Sequence, residues 1–489
     1  MDRMTPLSAA FLQAEDEDPG ASLAIASIAV FEGPPPTEAE FARSIAGRLP
    51  LIPRYRQKVR EVPLDIGPPI WVDDDQFDLS YHLRRTALPA PGGDGELAAL
   101  MGRVMSARLD RAHPLWEYWL VEGLRSPDGG TDQWALISKV HHCMVDGVSG
   151  TDLYRIILDT SPEPSAELAP ADDWHPQPPP SDLSLAAAAI LDLALLPARQ
   201  ARAVGTLALH PGALLQGAGQ AARGMASLAR ALVPAADTTL SGPLSAHRRF
   251  AFGRASVEDV ATIRHALGGT FNDVVLTAVT AGFRTLLLER GERPVADAVR
   301  TLVPVSVRAP GEESIRDNRV SLLLADLPVD VLDPVERLVV VRERLTQLKE
   351  QHEAEAGVAV LAVAGTEPFP SVATPLRLAA HLPQRSIVTV TTNVPGPRQP
   401  LYALGRRLTE IVPYVPIATR LRTGVAIFSY CGQVTFGVTG DYDSAADVWT
   451  LAEGIERGMA ELLAAAAEQS VAQHPGGTSR ARSARRSSP

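Results

Sequence analysis

Two periodicities alternate along this chain, and the switches between them mark its elements. Trp134 to Val140 is a short, mostly apolar run of strand length, and Thr151 to Leu158 follows it with helical spacing. Ser256 with Asp259 forms a capping pair, and Val257, Val260, Ile263 and Leu267 recur on one helical face until Gly268-Gly269 stops it. Thr270 with Asp273 opens another predicted helix, running to about Arg290. Val299, Thr301, Val303, Val305 and Val307 alternate as one face of a strand, where Pro304 predicts an exposed or bulged edge. Ile387 to Thr392 is a β-branched strand. Gly424 to Tyr430 and Gln433 to Thr439 flank Cys431-Gly432, a two-residue hairpin signal. Ser444 with Asp447 is expected to cap a last helix with Val448, Leu451, Ile455 and Leu462 on its face.

Strands and helices thus alternate in two outer zones, 1–175 and 244–470. Between them lies 176–243, a Pro-rich linker (His175 to Pro180) followed by an Ala/Leu-rich stretch, and the chain ends in a basic Ser/Arg-rich tail, 471–489, expected to be disordered. The fold class is α/β: two domains of mixed sheets flanked by helices, joined by a helical crossover, with a ligand cleft between them. The middle zone reads as helices packed across both domains, or as an amphipathic surface touching lipid with arginines at the headgroups; the two are compatible. Its most apolar part, Leu183 to Ala198, is interrupted by Asp192 and Pro197, so no membrane span is predicted. Met1 to Gly20 has no long apolar core and does not read as a signal peptide.

Composition narrows the function. The 489 residues are 45% hydrophobic and 21% charged, which is globular. A net charge of −11 gives no basic field for phosphates, so nucleic acid is not an expected partner. The two cysteines, Cys143 and Cys431, can build neither a disulfide framework nor a C-x-x-C metal site, which suits a reducing cytosol.

The candidate chemistry is His141-His142-Cys143-Met144-Val145-Asp146-Gly147, directly after the Trp134–Val140 strand. Strand ends are where α/β folds display reactive groups. A neutral imidazole can take a proton from a hydroxyl near neutral pH, provided its ring is held in one tautomer and orientation. Asp146 can fix the turn through an ion pair, and Gly147 permits a sharp turn or a close approach of substrate. Two adjacent histidines can also be ordinary surface residues. As metal ligands with Asp146 they are poorly placed, because consecutive strand side chains point apart, and no third histidine has ligand spacing. Gly147-Val148-Ser149-Gly150 is not a G-x-S-x-G elbow. Gly217 to Ala222 matches a dinucleotide fingerprint only superficially, since no strand precedes it.

His141-His142-x-x-x-Asp146-Gly147 resembles the motif of coenzyme A-dependent acyltransferases with the chloramphenicol-acetyltransferase fold, which includes peptide-synthetase condensation domains. Pro114-Leu115-Trp116, Asn272-Asp273 and Asn393-Val394-Pro395-Gly396-Pro397, in this order, look like the bacterial wax ester synthase/diacylglycerol acyltransferase family. The resemblance runs from Pro6-Leu7-Ser8 to Asp441, failing in the middle zone and the tail. It implies a long-chain acyl-coenzyme A donor as co-substrate, no permanently bound cofactor or metal, and diacylglycerol or a long-chain alcohol as acceptor. It also implies a cytoplasmic enzyme held peripherally at a membrane or lipid inclusion.

His142 would be the base, acting without an acyl-enzyme, with His141 and Asp146 structural. Arg56 is the first candidate partner for Asp146 and Arg308 the second; Arg56 could equally be a solvated surface charge. Asn272 could bind coenzyme A or a developing oxyanion at the helix start, or merely belong to the Thr270–Asp273 cap. Pro114, Leu115, Trp116, Asn393, Pro395 and Gly396 would lie near the substrate channel, although packing explains such residues as readily. Gly357 to Ala364 could help line a greasy tunnel. The competing readings are a condensation-type transferase with a carrier-bound donor, a non-catalytic lipid-binding protein on the same fold and, more remotely, a metal hydrolase.

Overall fold

The computed structural model describes residues 2–126, 132–145, 150–163, 174–208, 234–306, 320–350 and 386–473. Strands of the first half are β1 (Asp2–Arg3), β2 (Ala24–Glu32), β3 (Gln57–Arg60), β4 (Ile70–Asp73), β5 (Leu83–Ala87), β6 (Trp116–Arg125) and β7 (Asp132–His141). Those of the second are β8 (Arg248–Ser256), β9 (Arg300–Ser306), β10 (Val320–Asp326), β11 (Thr389–Pro395), β12 (Tyr402–Ala403), β13 (Arg406–Tyr414), β14 (Thr423–Tyr430) and β15 (Gln433–Asp441). The helices are α1 (Pro6–Glu17), α2 (Glu38–Ala46), α3 (Leu79–His82), α4 (Asp94–Ser106), α5 (Gly150–Ile157), α6 (Asp182–Ala208), α7 (Val257–Leu267), α8 (Phe271–Glu289), α9 (Pro334–Glu350) and α10 (Val448–Gln473).

Two six-stranded sheets organise the molecule. The second half builds the order β10–β9–β11–β14–β15–β8, mixed because β11 runs parallel to both β14 and β9. The first half supplies four strands to the order β12–β13–β2–β7–β6–β5. The other two come from the second half: β13 pairs antiparallel with β2, from Leu408 opposite Phe31 to Tyr414 opposite Ala26. Both outer zones therefore share one sheet, which ties the halves through backbone hydrogen bonds. Its core carries Ile28, Phe31, Trp134 and Ile137 from the first half together with Leu408, Val412 and Phe428 from the second.

Local chemistry accounts for most elements. Ser256 and Thr270 cap α7 and α8; the Thr270–Asp273 capping box is reciprocal, whereas the Ser256 cap is one-sided, its hydroxyl accepting the Asp259 N–H. Helix α8 is long and apolar enough by composition to cross a membrane, but it is a core helix, with Val274, Val275, Ala278, Phe283 and Leu287 buried beneath the second sheet. Cys431 (φ 44°) and Gly432 (φ 89°) both take positive φ, the type I′ geometry that closes a two-residue hairpin between β14 and β15. Pro304 stands opposite Leu322 of β10 and beyond the two residues, Thr301 and Leu302, at which β9 pairs with β11.

Two expectations need correction. The β-branched run at 387–392 is strand only from Thr389, and it continues through Pro395 because the parallel pairing with β14 extends to Pro395 opposite Ser429. Ser444 and Asp447 do not form a capping box. Ser444 donates through both its backbone N–H and its hydroxyl to the Asp441 carboxylate, while Asp447 pairs with Arg290. An aspartate three residues upstream competes for the same serine, and Arg290, just past α8, takes the other acid.

Among the described residues of the middle zone, the helix is α6. It packs Leu185 and Ala189 on Val62, just past β3, and on Ile70 and Val72 of the small sheet β1–β4–β3. Leu183 is 82% exposed, and Ile190 and Leu191 are also exposed. Residues 209–233, the tail from 474, Arg308 and the stretch Gly357 to Ala364 lie outside the described residues.

Candidate active site

The histidines sit where β7 ends and a short 3₁₀ turn, His142–Val145, begins. β7 is held on both sides, by β2 and β6, so its end is fixed by two ladders. The last bonds of those ladders reach the histidines themselves. His141 N–H donates to the Leu115 carbonyl (2.9 Å) and His142 N–H to the Leu23 carbonyl (3.0 Å). This gives the Pro114-Leu115-Trp116 motif a role: its middle carbonyl anchors the strand end. Trp116 itself is fully buried, stacked between His82 (4.3 Å) and Tyr55 (4.6 Å), with its indole N–H on the Tyr55 carbonyl (2.9 Å). The structure places it in the aromatic core. Lys139, also buried, donates to the carbonyls of Val104 and Ala107 and ties β7 to the last turn of α4.

The two imidazoles have different surroundings. His141 is buried. Its Nδ1 accepts the Cys143 backbone N–H (3.2 Å) and lies 2.9 Å from the Cys143 sulfur, while its Nε2 lies 3.5 Å from Glu15 Oε2. An acceptor Nδ1 puts the neutral ring's proton on Nε2, facing the carboxylate. His142 is partly exposed and stacks on Phe11, with centroids 4.1 Å apart. Burial pushes its pKa down to about 4, against the hydrogen bond it makes to its own backbone, and the neighbouring His141 adds to the lowering. The ring is a neutral acceptor at physiological pH. Burial pushes the Cys143 thiol up, away from the thiolate form.

Sequence reasoning missed Glu15 and Phe11. Both lie on α1, four residues apart and hence on one face. Glu15 is 2% exposed, accepts the Leu23 N–H (3.0 Å) and approaches Arg111 at 3.4 Å. Burial raises its pKa, but His141 and the Leu23 N–H outweigh that and hold it at about 2. The signal was present: Ser8, Leu12 and Glu15 fall on the buried face of α1, and an acid on an apolar stripe needs a partner.

Of the other expected residues, Asn272 and Asn393 meet. Asn393 Nδ2 donates to Asn272 Oδ1 at 3.3 Å, joining the start of α8 to the end of β11. Asp273 is buried and spent on the cap of α8. Gly396 is required by space: a Cβ there would fall 2.2 Å from the Ser429 carbonyl and 2.3 Å from the Phe428 ring. Pro395 closes the β11–β14 register opposite Ser429. Arg56 is buried with its guanidinium 4.9 Å above the Trp174 ring, so it is not a solvated surface charge. Asp146 and Gly147 lie outside the described residues, and so does any pairing of Asp146 with Arg56 or Arg308. Among the described residues, no group of three His, Cys, Asp or Glu side chains could hold a metal ion.

A histidine turn at a strand end, on a two-lobed α/β fold whose second lobe lends strands to the first, defines an acyltransferase of the chloramphenicol-acetyltransferase-like class. Similarity to solved structures supports the fold: the first condensation domain of the calcium-dependent antibiotic synthetase matches with a TM-score of 0.58 at 16% identity, over 95% of this chain and 97% of that one. The chain belongs to the wax ester synthase/diacylglycerol acyltransferase family. The catalytic-domain model of that family matches residues 4–275, and its C-terminal-domain model matches residues 317–463. The chain is 40% identical over 479 residues, 98% of its length and 99% of the relative's, to a Mycobacterium tuberculosis protein named "Probable diacyglycerol O-acyltransferase tgs1". The wax ester synthase/diacylglycerol acyltransferase from Marinobacter aquaeolei VT8 matches in structure with a TM-score of 0.62 and 26% identity, over 95% of this chain and all of that one. The protein is an enzyme, an O-acyltransferase.

Proposed function

We propose that this acyltransferase moves a long-chain acyl group from acyl-coenzyme A to the free hydroxyl of diacylglycerol, with long-chain alcohols as alternative acceptors, and that His142 is the general base. The observation that carries the reading is the His142 ring, neutral and stacked on Phe11 at the end of a strand braced on both sides. Nε2 takes the acceptor's proton as its oxygen attacks the thioester carbonyl carbon. The tetrahedral intermediate collapses, the carbon–sulfur bond breaks, and the imidazolium returns the proton to the leaving thiolate. No covalent acyl-enzyme is needed, which agrees with a Cys143 thiol that burial keeps protonated. The name of the tgs1 relative supports diacylglycerol as the first acceptor. The Asn272–Asn393 pair offers amide donors of the kind that steady a polarised carbonyl or a phosphate. Asp146 and Arg56 remain the motif acid and its proposed partner.

The exposed Leu183, Ile190 and Leu191 of α6 support peripheral attachment to a membrane or lipid inclusion on the cytoplasmic side, where both apolar substrates reside. The test is release of free thiol from palmitoyl-coenzyme A with diacylglycerol or hexadecanol as acceptor. Faster release with diacylglycerol supports the acceptor order, release with hexadecanol alone reverses it, and release with neither removes both acceptors.

A further inference from the structure

The buried carboxylate behind the histidines has no place in the proton transfer itself, yet it meets two of the groups that hold the turn of the reacting ring, Leu23 and His141. Glu15 Oε1 accepts the Leu23 N–H, and the carbonyl of that same Leu23 accepts the His142 N–H. Glu15 Oε2 faces Nε2 of His141 at 3.5 Å, and the opposite nitrogen of that ring accepts the N–H of Cys143, the residue after His142. One carboxylate is thus linked through two short paths to the backbone on both sides of His142. One helical turn earlier, Phe11 bears on the face of the His142 ring.

Resting on the reading of His142 as the base, we propose that Glu15 is the positioning residue of this site: its carboxylate keeps the proton of His141 on Nε2 and so sets the turn that aims the His142 imidazole. The charges around Glu15 fit a carboxylate held in its ionised form. Arg111 approaches it from the segment after α4 and is itself tied to the Leu12 carbonyl and the Asp16 carboxylate of α1; Arg108 lies on the same segment, and Lys139 and His141 face it from β7.

The identity of the acid matters for a specific reason. A glutamine at position 15 would still accept the Leu23 N–H through its amide oxygen. Its amide N–H would then face His141 Nε2, which would have to become the acceptor. The His141 proton would move to Nδ1, where it would meet the Cys143 N–H at 3.2 Å, donor against donor, in a buried turn. The turn would shift, and His142 with it. A displacement on the order of 1 Å costs roughly a hundredfold in rate.

The test compares E15Q and E15D with the wild-type enzyme by thiol release and by nitrogen-15 spectra of histidine-labelled protein, in which the His141 signal is assigned by its loss in H141N. The expected result is a kcat for E15Q about ten- to a hundredfold below wild type, a KM for acyl-coenzyme A within about twofold, and a His141 proton moved from Nε2 to Nδ1. E15D, which keeps the charge, should retain the Nε2 proton and recover most of the lost kcat. A merely structural glutamate would lower Tm in E15Q while leaving kcat and the tautomer of the folded protein unchanged, and that outcome overturns the proposal. Should neither variant fold, the wild-type spectrum decides: a His141 proton on Nδ1 overturns it, and one on Nε2 supports it. The spectrum needs no substrate, so a wild-type protein inactive on acyl-coenzyme A would sink the functional reading and leave this measurement standing.

Discussion

At the end of β7, two imidazoles lie against a buried carboxylate, a buried thiol and a phenyl ring, with an arginine behind them. At the end of β11, Asn393 reaches Asn272 through neutral amides alone. The first region holds a buried carboxylate balanced by a half-buried arginine, so removing the arginine leaves a buried charge unpaired. The second holds a hydrogen bond worth about 1 kcal/mol. The contrast separates tasks. A group that gains and loses a proton needs rigid, electrically tuned surroundings, whereas one that only steadies a substrate can be a replaceable amide.

The largest expected effect is at His142. H142A should lower acyl transfer by about 10²- to 10⁴-fold, the usual contribution of a general base, with the thermal transition preserved; retained turnover in thiol release would remove His142 from the chemistry. G396A comes next and acts through packing. Its added carbon meets the Ser429 carbonyl and the Phe428 ring, so stability should fall by about 1–3 kcal/mol in denaturant unfolding. N272A and N393A should each cost about 1 kcal/mol and couple to each other by a similar amount in a double-mutant cycle, with less than tenfold loss of kcat. A loss as large as that of H142A would erase the contrast between the two regions. The smallest effect is at α6, where I190E with L191E should weaken sedimentation with lipid vesicles and leave turnover on detergent-dispersed substrate unchanged.

Much of this was legible in the sequence because it is local. The Cys431-Gly432 hairpin, the Thr270–Asp273 box and the strand ahead of His141 each depend on a few adjacent residues. The pairing of β13 with β2 was not legible: it brings Ile411 opposite Ala29, far apart in the chain, and alternation alone does not choose a partner strand. Ser444 misled because aspartates both precede and follow it at three residues, and only the fold, by sending Arg290 to Asp447, decides between them. Glu15 was overlooked because an acid near an acidic N-terminal stretch reads as solvated until β7 is seen to cover it. Asn272 and Asn393, read separately, gave no sign that they touch.

The central claim is that the half-buried imidazole of His142 is kept neutral and takes the acceptor's proton, and the pH dependence of kcat/KM reports it directly. With His142 lowered to about 4 by burial, its protonated form appears only near that pH, so the wild-type rate should stay level from pH 8 down to about 5 and fall below it as the base fills with a proton. F11A rehydrates the ring and should move that fall upward, towards the ordinary histidine value of about 6.5. A wild-type rate already declining through pH 6.5, or a profile that F11A leaves in place while the protein remains folded, would contradict the account.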